Sequence, residues 1–352
     1  MNIQHTLRLG ILGCAKIAHQ FARDVAGSQT VKIVAVASRQ ADKAQAFAEQ
    51  FGIACAHDSY EALLADPQVD AVYIPLPNHL HAAWAIRAAE AGKHVLCEKP
   101  LTLHLADAQA MFAAARQRGV MLLEAYPYYF QPQTGDMLSL IHGGAIGEVR
   151  AVHASFGFTL QTGTSNIRWQ ADMGGGALFD AGSYPLSLIR LVMGQAPTRV
   201  LADARWVDTG VDVAMTALLR YADGRQATMS CAMDAANHRR ATITGSQGTI
   251  ETEYLNHTAT TGHGHPHGYQ PSQLRVRRGT ANTVPFEEVT SATGSGFRFA
   301  AEAFASVVQA GDHEAIALAA QASLDIAATL EALLASARTG RWVEVETSLN
   351  AG

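Results

Sequence analysis

The first 125 residues alternate short, continuous apolar runs with stretches of helical spacing, and that alternation predicts a parallel sheet. Leu7 to Gly13 reads as an apolar strand ending in glycine, and Cys14 to Ala22 follows with helical spacing. Val31 to Ala37 is a second buried strand, Asp42 to Phe51 a helix, Val69 to Pro75 a strand and Ala82 to Ala91 a helix. His94 to Glu98 is the next strand, followed by a helix near Ala106 to Arg118 and a strand near Val120 to Ala125. Strands that are apolar throughout and regularly separated by helices belong to a doubly wound α/β sheet covered on both faces. Beyond about Tyr126 the pattern changes. Glu148 to Phe158, Arg199 to Val207, Val211 to Tyr221, Gln226 to Met233, Ala241 to Thr244 and Thr249 to Tyr254 read as strands with short turns, one marked by Asp223-Gly224. A helix pair over Phe297 to Ala337 and a last strand over Arg341 to Glu346 close the chain. The expected organisation is a dinucleotide-binding (Rossmann) domain over 1–126 and an α+β domain with a large, mostly antiparallel open sheet over 127–352. Helices confined to one face of that second sheet leave the other to be covered, which favours a homodimer, or a dimer of dimers, through it.

Composition narrows the function classes. A chain of 352 residues, 48% hydrophobic and 16% charged with a formal net charge of −5, is an ordinary globular one with room for two cores. Its one basic cluster, Arg275-Val276-Arg277-Arg278, alternates like the solvent face of a strand and does not suggest nucleic acid. No apolar stretch reads as long and uninterrupted enough to span a bilayer, and the strand beginning at Leu7 leaves no room for a signal peptide. Cys14, Cys55, Cys97 and Cys231 lie in apolar segments without paired spacing and suit a reducing cytoplasm. No metal site is expected. Gly262-His263-Gly264-His265-Pro266-His267-Gly268 lacks an accompanying carboxylate or cysteine and reads as a loop, within a segment from His257 to Gln273.

Candidate chemistry gathers where parallel strands end, because open α/β sheets bind ligands beyond those ends. The turn Gly13-Cys14-Ala15-Lys16-Ile17-Ala18 is a glycine-and-alanine variant of the dinucleotide fingerprint, with small residues where a pyrophosphate approaches a helix start. The second strand ends in Ser38-Arg39 where an NAD-selective fold would carry an acid; a hydroxyl and a guanidinium suit a 2′-phosphate, so NADP(H) is favoured over NAD(H). Pro75, Asn78 and His81 follow the next strand and are expected at the nicotinamide and its ribose, although His79 and His81 read equally well as helix-cap residues. Glu98-Lys99-Pro100 ends the strand after that. The chain has five lysines, none beyond Lys99, so a compact, deprotonatable ammonium stands here in a protein that otherwise uses arginine. Asp180 and Tyr184 are four residues apart and share one face of a helix.

These segments, with Pro77-Asn78-His79-Leu80-His81, Ala91 to Pro100 and Gly174 to Tyr184, resemble the glucose–fructose oxidoreductase/inositol dehydrogenase (Gfo/Idh/MocA) family over nearly the whole chain. Tyr184, where inositol dehydrogenases carry histidine, and Asn166-Ile167-Arg168 are similar to the branch of NADP-dependent D-xylose 1-dehydrogenases and dimeric dihydrodiol dehydrogenases. The resemblance implies an oxidoreductase acting on a sugar or cyclic polyol. Lys99, Asp180 and Tyr184 would be catalytic: Tyr184 as general acid or base, Lys99 lowering its pKa and polarising a substrate oxygen, Asp180 holding Lys99 or a sugar hydroxyl. Gly13, Cys14, Ala15, Lys16, Ile17, Ser38, Arg39, Pro75, Asn78, His81, Glu98 and Lys99 would hold the cofactor, and Tyr128, Asn166 and Arg168 the substrate. It also implies a cis Lys99–Pro100 bond. An aldose 1-dehydrogenase is the leading expectation. A trans-dihydrodiol dehydrogenase, an aldose–aldose oxidoreductase that retains its cofactor and a non-enzymatic nucleotide-sensing regulator are the alternatives. The run Glu124-Ala125-Tyr126-Pro127-Tyr128-Tyr129-Phe130-Gln131-Pro132 departs from the family's usual Glu-Ala-aromatic-Arg pattern and leaves the substrate open.

Overall fold

The computed structural model describes residues 6–161, 166–253 and 273–346, and the histidine-rich tract 262–268 lies outside them. Chain contacts divide it into two units. The first comprises Met1–Thr102, Ala106–Pro127 and Ser295–Gln321, and the second Leu103–Leu105, Tyr128–Gly294 and Ala322–Gly352. A single cut after residue 126 differs from this division chiefly by the return of Ser295–Gln321 to the first unit.

The first unit is built on a parallel sheet of six strands: β1 (Leu7–Leu12), β2 (Val31–Ala37), β3 (Cys55–His57), β4 (Ala71–Ile74), β5 (His94–Glu98) and β6 (Leu122–Ala125). Their spatial order is β3-β2-β1-β4-β5-β6, with every pair parallel. The order reverses between β1 and β4, so ligand sites are expected beyond the carboxyl ends there. Helices α1 (Lys16–Val25), α2 (Ala41–Phe51), α3 (Tyr60–Ala65), α4 (His81–Glu90) and α5 (Leu105–Arg118) connect the strands. The apolar runs read in the sequence are this core: Leu9, Ile11, Val36, Tyr73 and Leu96 are each at most 1% exposed. Phe21 of α1 stacks on Tyr73 at 3.9 Å and meets Phe297 edge-on at 5.7 Å. That aromatic contact, with Ala301 and Phe304 buried in the same cluster, ties the late segment to the first unit.

The second unit holds a nine-stranded sheet among the described residues, ordered β14-β13-β12-β11-β7-β10-β9-β8-β15. Its strands are β7 (Val149–Thr159), β8 (Arg199–Trp206), β9 (Asp212–Arg220), β10 (Gln226–Ala232), β11 (Asp234–Gly245), β12 (Gly248–Thr252), β13 (Leu274–Arg278), β14 (Glu287–Val289) and β15 (Val343–Glu344). Only β7 and β10 pair in parallel; the other pairs are antiparallel. Strand β11 begins seven residues earlier than the sequence pattern suggests, because its first half, including His238, Arg239 and Arg240, is polar and carries no apolar alternation. Helices α6 (Pro132–His142) and α7 (Ser183–Met193) belong to this unit, and α8 (Gly296–Ala310) to the first. Helix α9 (His313–Thr339) runs in the first unit to Gln321 and in the second from Ala322. Its stretch Glu314–Thr339 is long and apolar enough to cross a membrane by length and composition, which corrects the sequence reading on that point. Half of that stretch is buried in the fold, with Ile326, Leu330 and Leu333 in the core, so it reads as a core helix.

Candidate active site

In the first unit, β1 delivers the chain to Gly13, whose φ of +110° is open to glycine and strained for other residues. A side chain there would press on Leu76 at 2.9 Å. Helix α1 starts directly afterwards at Lys16 without a side-chain cap, leaving its first amides available to an anion. Beyond the end of β2, Cys14, Ser38, Arg39, Gln40, Lys43 and Tyr60 line a cavity of about 500 Å³. The Ser38 hydroxyl accepts from the Gln40 amide at 3.2 Å. Burial pushes the Cys14 thiol and the Tyr60 phenol up, opposed by the Lys43 and Arg39 charges respectively, so both stay neutral beside two cations. The donor set of two cations and a hydroxyl fits a phosphate monoester. Gln40, Lys43 and Tyr60 were not among the residues read from the sequence. Lys43 carried a signal, standing four residues after Arg39 at helical spacing.

Around the ends of β4 and β5, the Lys99–Pro100 bond is cis, as the resemblance implied. Lys99 is partly exposed. Glu98 is buried behind it: Oε1 accepts from the Tyr73 hydroxyl at 2.6 Å, and Oε2 from the Lys99 amide at 3.3 Å. His81, the first residue of α4, is fully buried. Its Nδ1 lies 3.0 Å from the Pro100 carbonyl and its Nε2 2.8 Å from the Leu76 carbonyl. Burial first, then the Lys99 charge, push its pKa down. Glu98 and His81 thus sit behind Lys99 as supports. Pro75 is buried as well, and Asn78 opens a short 3₁₀ turn (Asn78–Leu80) and is half-buried.

Cys55, His57 and Asp66 form the one group of three metal-type donors found among the described residues. His57 Nε2 lies 3.4 Å from Cys55 Sγ and 3.0 Å from Asp66 Oδ2. Asp66 is held below the usual carboxylate range, first by the Gln68 amide and then by His57, so the group is satisfied as a hydrogen-bonded set.

In the second unit, Asn166 caps a 3₁₀ turn (Ile167–Trp169) by accepting the Arg168 amide at 3.1 Å. Arg168 forms an ion pair through Nε with Asp180. Asp180 sits in a π-helical turn, Leu178–Gly182, which runs into α7 and carries the chain to Tyr184. Pro185 has no N–H for the Ala181 carbonyl, so a regular α-helical bond is missing where the turn widens. The sequence reading gives Asp180 the task of holding Lys99 or a sugar hydroxyl; within this unit Asp180 also pairs with Arg168, a pairing between separate segments that helical spacing does not reveal. Asp180 is the first cause raising the Arg168 guanidinium above its ordinary value, against burial, and Tyr184 adds to it. Tyr184 is 6% exposed and meets Phe156 edge-on at 5.1 Å. Tyr128 is fully buried: its hydroxyl lies 2.8 Å from Ser187 Oγ, which in turn donates to the Tyr184 carbonyl at 2.8 Å. Tyr128 therefore braces the helix of Tyr184, where the sequence reading had placed it against substrate.

Residues 7–126 match the oxidoreductase family with an NAD-binding Rossmann fold, and residues 136–251 match the GFO/IDH/MocA C-terminal domain. The chain belongs to the Gfo/Idh/MocA oxidoreductase family. The D-xylose 1-dehydrogenase (NADP(+)) 2 of Haloferax volcanii is 35% identical over 97% of this chain and 100% of that protein. KijD10, a 3-ketoreductase from Actinomadura kijaniata solved in complex with NADP and TDP-benzene, superposes with a TM-score of 0.82 at 34% identity, covering 96% of this chain and 98% of that one. An aldose–aldose oxidoreductase from Caulobacter crescentus, complexed with glycerol, gives a TM-score of 0.84 at 27% identity over 97% and 100% of the two chains. Family membership makes the chain an oxidoreductase with a Rossmann nucleotide-binding domain.

Proposed function

We propose that this oxidoreductase uses NADP(H) and acts on the carbinol or carbonyl carbon of a sugar or cyclic polyol, with the anomeric carbon of an aldose as the leading substrate centre. The observation that carries the cofactor choice is the cavity holding Ser38, Arg39 and Lys43 at the end of β2, with no acidic side chain among its lining residues. An NAD-selective fold would place a carboxylate there. Bound at the first unit, the nicotinamide would accept or supply the hydride. Gly13 to Ile17 would face the pyrophosphate, Ser38, Arg39 and Lys43 the 2′-phosphate, and Pro75 and Asn78 the nicotinamide half.

This chain's own side chains would handle the proton. A phenol ordinarily titrates near ~10, so a tyrosine that exchanges protons at neutral pH needs cations nearby. Arg168, paired with Asp180, is one that interacts with Tyr184. Lys99 is assigned as the second, donating a hydrogen bond to the reacting oxygen so that charge developing there is stabilised. In oxidation Tyr184 would take the hydroxyl proton, and in reduction it would give one back. Asn166 and Arg168 are assigned to substrate hydroxyls. Two copies are expected to associate through the open face of the nine-stranded sheet, which sedimentation velocity would read directly.

Likeness to the Caulobacter crescentus enzyme supports a second reading, in which one sugar is oxidised and another reduced on a cofactor that stays bound. The deciding experiment is a fluorescence titration with NADPH and NADH, followed by a sugar panel monitored at the nicotinamide absorbance. Preference for NADH would retire the cofactor assignment. Protein purified with stoichiometric nicotinamide, and turning over only when two sugars are present, would favour the second reading.

A further inference from the structure

Gly174-Gly175-Gly176 and a buried aspartate at the start of β9 are left unexplained by the proton-transfer residues alone. Asp212 is 2% exposed, and its Oδ2 accepts the Leu178 amide at 2.7 Å. Leu178 lies in the first turn of its helix, where amides lack acceptors within the helix. The other carboxylate oxygen stands where a side chain on Gly176 would project, so any Cβ there would collide with it. Gly176, at φ +111°, donates its amide to the Arg168 carbonyl at 3.0 Å. A Cβ on Gly175 would approach the Arg168 carbonyl oxygen to 2.6 Å and that of Gln170 to 2.8 Å. At the far end of the turn, a Cβ on Gly182 would lie 2.9 Å from Cys231 Sγ and 3.3 Å from the Met229 methyl on β10. The turn carrying Asp180 is therefore gripped at its first amide by Asp212 and at its last residue by β10. The Arg168 backbone is fastened to the same glycine.

We propose that Asp212 is a positioning residue: by accepting the Leu178 amide and filling the space that Gly176 leaves open, it sets where the Leu178–Gly182 turn presents Asp180 and Tyr184 and where Arg168 meets them. This rests on the assignment of Tyr184 as the proton-transfer group. The acceptor oxygen matters here, so an amide in place of the carboxylate preserves the grip and a methyl does not. The glycine matters because it makes room for the carboxylate.

Three variants test it: Asp212→Ala, Asp212→Asn and Gly176→Ala. Asp212→Ala should lower kcat by about 10–10²-fold, the range for displacing a reacting group by roughly an ångström, with NADPH affinity unchanged. Asp212→Asn should recover most of that loss, and Gly176→Ala should follow Asp212→Ala. Hydrogen exchange at the Leu178 amide should accelerate by about tenfold or more in Asp212→Ala and stay slow in Asp212→Asn. Wild-type kcat in a folded Asp212→Ala protein overturns the proposal, as does an asparagine variant no better than the alanine one. If Asp212→Ala fails to fold, judged by lost NADPH binding, Asp212→Asn and Gly176→Ala decide between them: a fast asparagine and a slow alanine variant sustain the proposal, and equal rates end it. If the wild-type protein turns over no sugar, the proposed function fails by that result alone, and an unprotected Leu178 amide in wild type would separately end the proposal.

Discussion

The Ser38–Tyr60 pocket of the first unit and the Arg168–Tyr184 cluster of the second face their chemistry in opposite ways. Around the pocket, exposed Arg39 and the neighbouring Lys43 stand at the edge of a cavity of about 500 Å³, attached to a loop and the start of a helix. Such groups are free to close on a phosphate, and water shares their charge until they do. In the cluster, Asp180 and Tyr184 are mostly buried, and the turn that carries them is wedged between glycines, a β-strand and a buried carboxylate. On the proposed function, the first arrangement would recognise a charge already present on a ligand, and flexible cations suffice for that. On the same function, the second would meet a charge that appears only during reaction, where preorganisation decides the rate.

The largest effects are expected where the proposed proton-transfer residues are removed. Tyr184→Phe preserves the contact with Phe156 and removes only the phenolic oxygen, so folding and NADPH binding should survive. Turnover should fall by roughly 10²–10⁴-fold, the range for a positioned acid or base. Lys99→Ala should be at least as damaging. The double variant should cost much less than the product of the two single effects, because groups that act as one unit are not additive. Steady-state kinetics on the best sugar checks all three. Near-wild-type turnover in Tyr184→Phe would remove Tyr184 from the mechanism, and with it the contrast drawn between the two regions.

A smaller change is expected at the pocket. Arg39→Asp replaces attraction for a 2′-phosphate with repulsion and should weaken NADPH by roughly 10²-fold, with NADH unchanged or improved. Lys43→Ala should cost less, roughly 10-fold, because Arg39 remains. Fluorescence titration reads both. Equal losses for NADPH and NADH would mean that the two cations shape the loop without reading the phosphate.

How far the residues alone revealed these regions depends on the range of the forces involved. Strands β1, β2, β4 and β5 are mostly buried on both faces, so their runs are largely apolar and their alternation with helices is visible along the chain. That Ser38 and Arg39 line a pocket was legible too, because both stand at one strand end. The Arg168–Asp180 pair was not: its partners lie on separate segments, and local spacing favoured a helix-face pairing instead. Tyr128 and His81 are types that often touch ligands, and only tertiary packing reveals that both are fully buried. The π-helical turn follows from Pro185 and the strand behind it, and its period differs from that of the surrounding helix. Asp212 shows no motif at all, because its meaning comes from Gly176 and Leu178 in another segment.

The smallest effects come from two buried groups, one in each unit, that respond to pH with opposite signs. In the first unit, burial lowers the His81 pKa, so the fold favours the neutral imidazole. The stability that this group contributes is present above the ordinary histidine range and is lost as pH falls through it. In the second unit, burial raises the Asp212 carboxyl to about 6, opposed by the Leu178 amide and its own. Its contribution is present below the ordinary carboxylate range and is lost as pH rises through about 6. The neighbouring Cys231 thiol is fully buried and pushed well up, so it stays neutral across this window. Above pH 6 an ionised Asp212 should therefore cost the second unit about 1–3 kcal/mol relative to its protonated form. Asp212→Asn should remove that slope between pH 4 and 6 and raise stability at pH 7.5, while His81→Gln should flatten the loss on the acid side of pH 6.5. Chemical denaturation at pH 4.5, 6 and 7.5, followed by hydrogen exchange to assign each change to its unit, measures both. If Asp212→Asn instead lowers stability at pH 7.5 by more than it does at pH 4.5, the ionised carboxylate stabilises the turn it grips. The two regions would then respond to acid with the same sign.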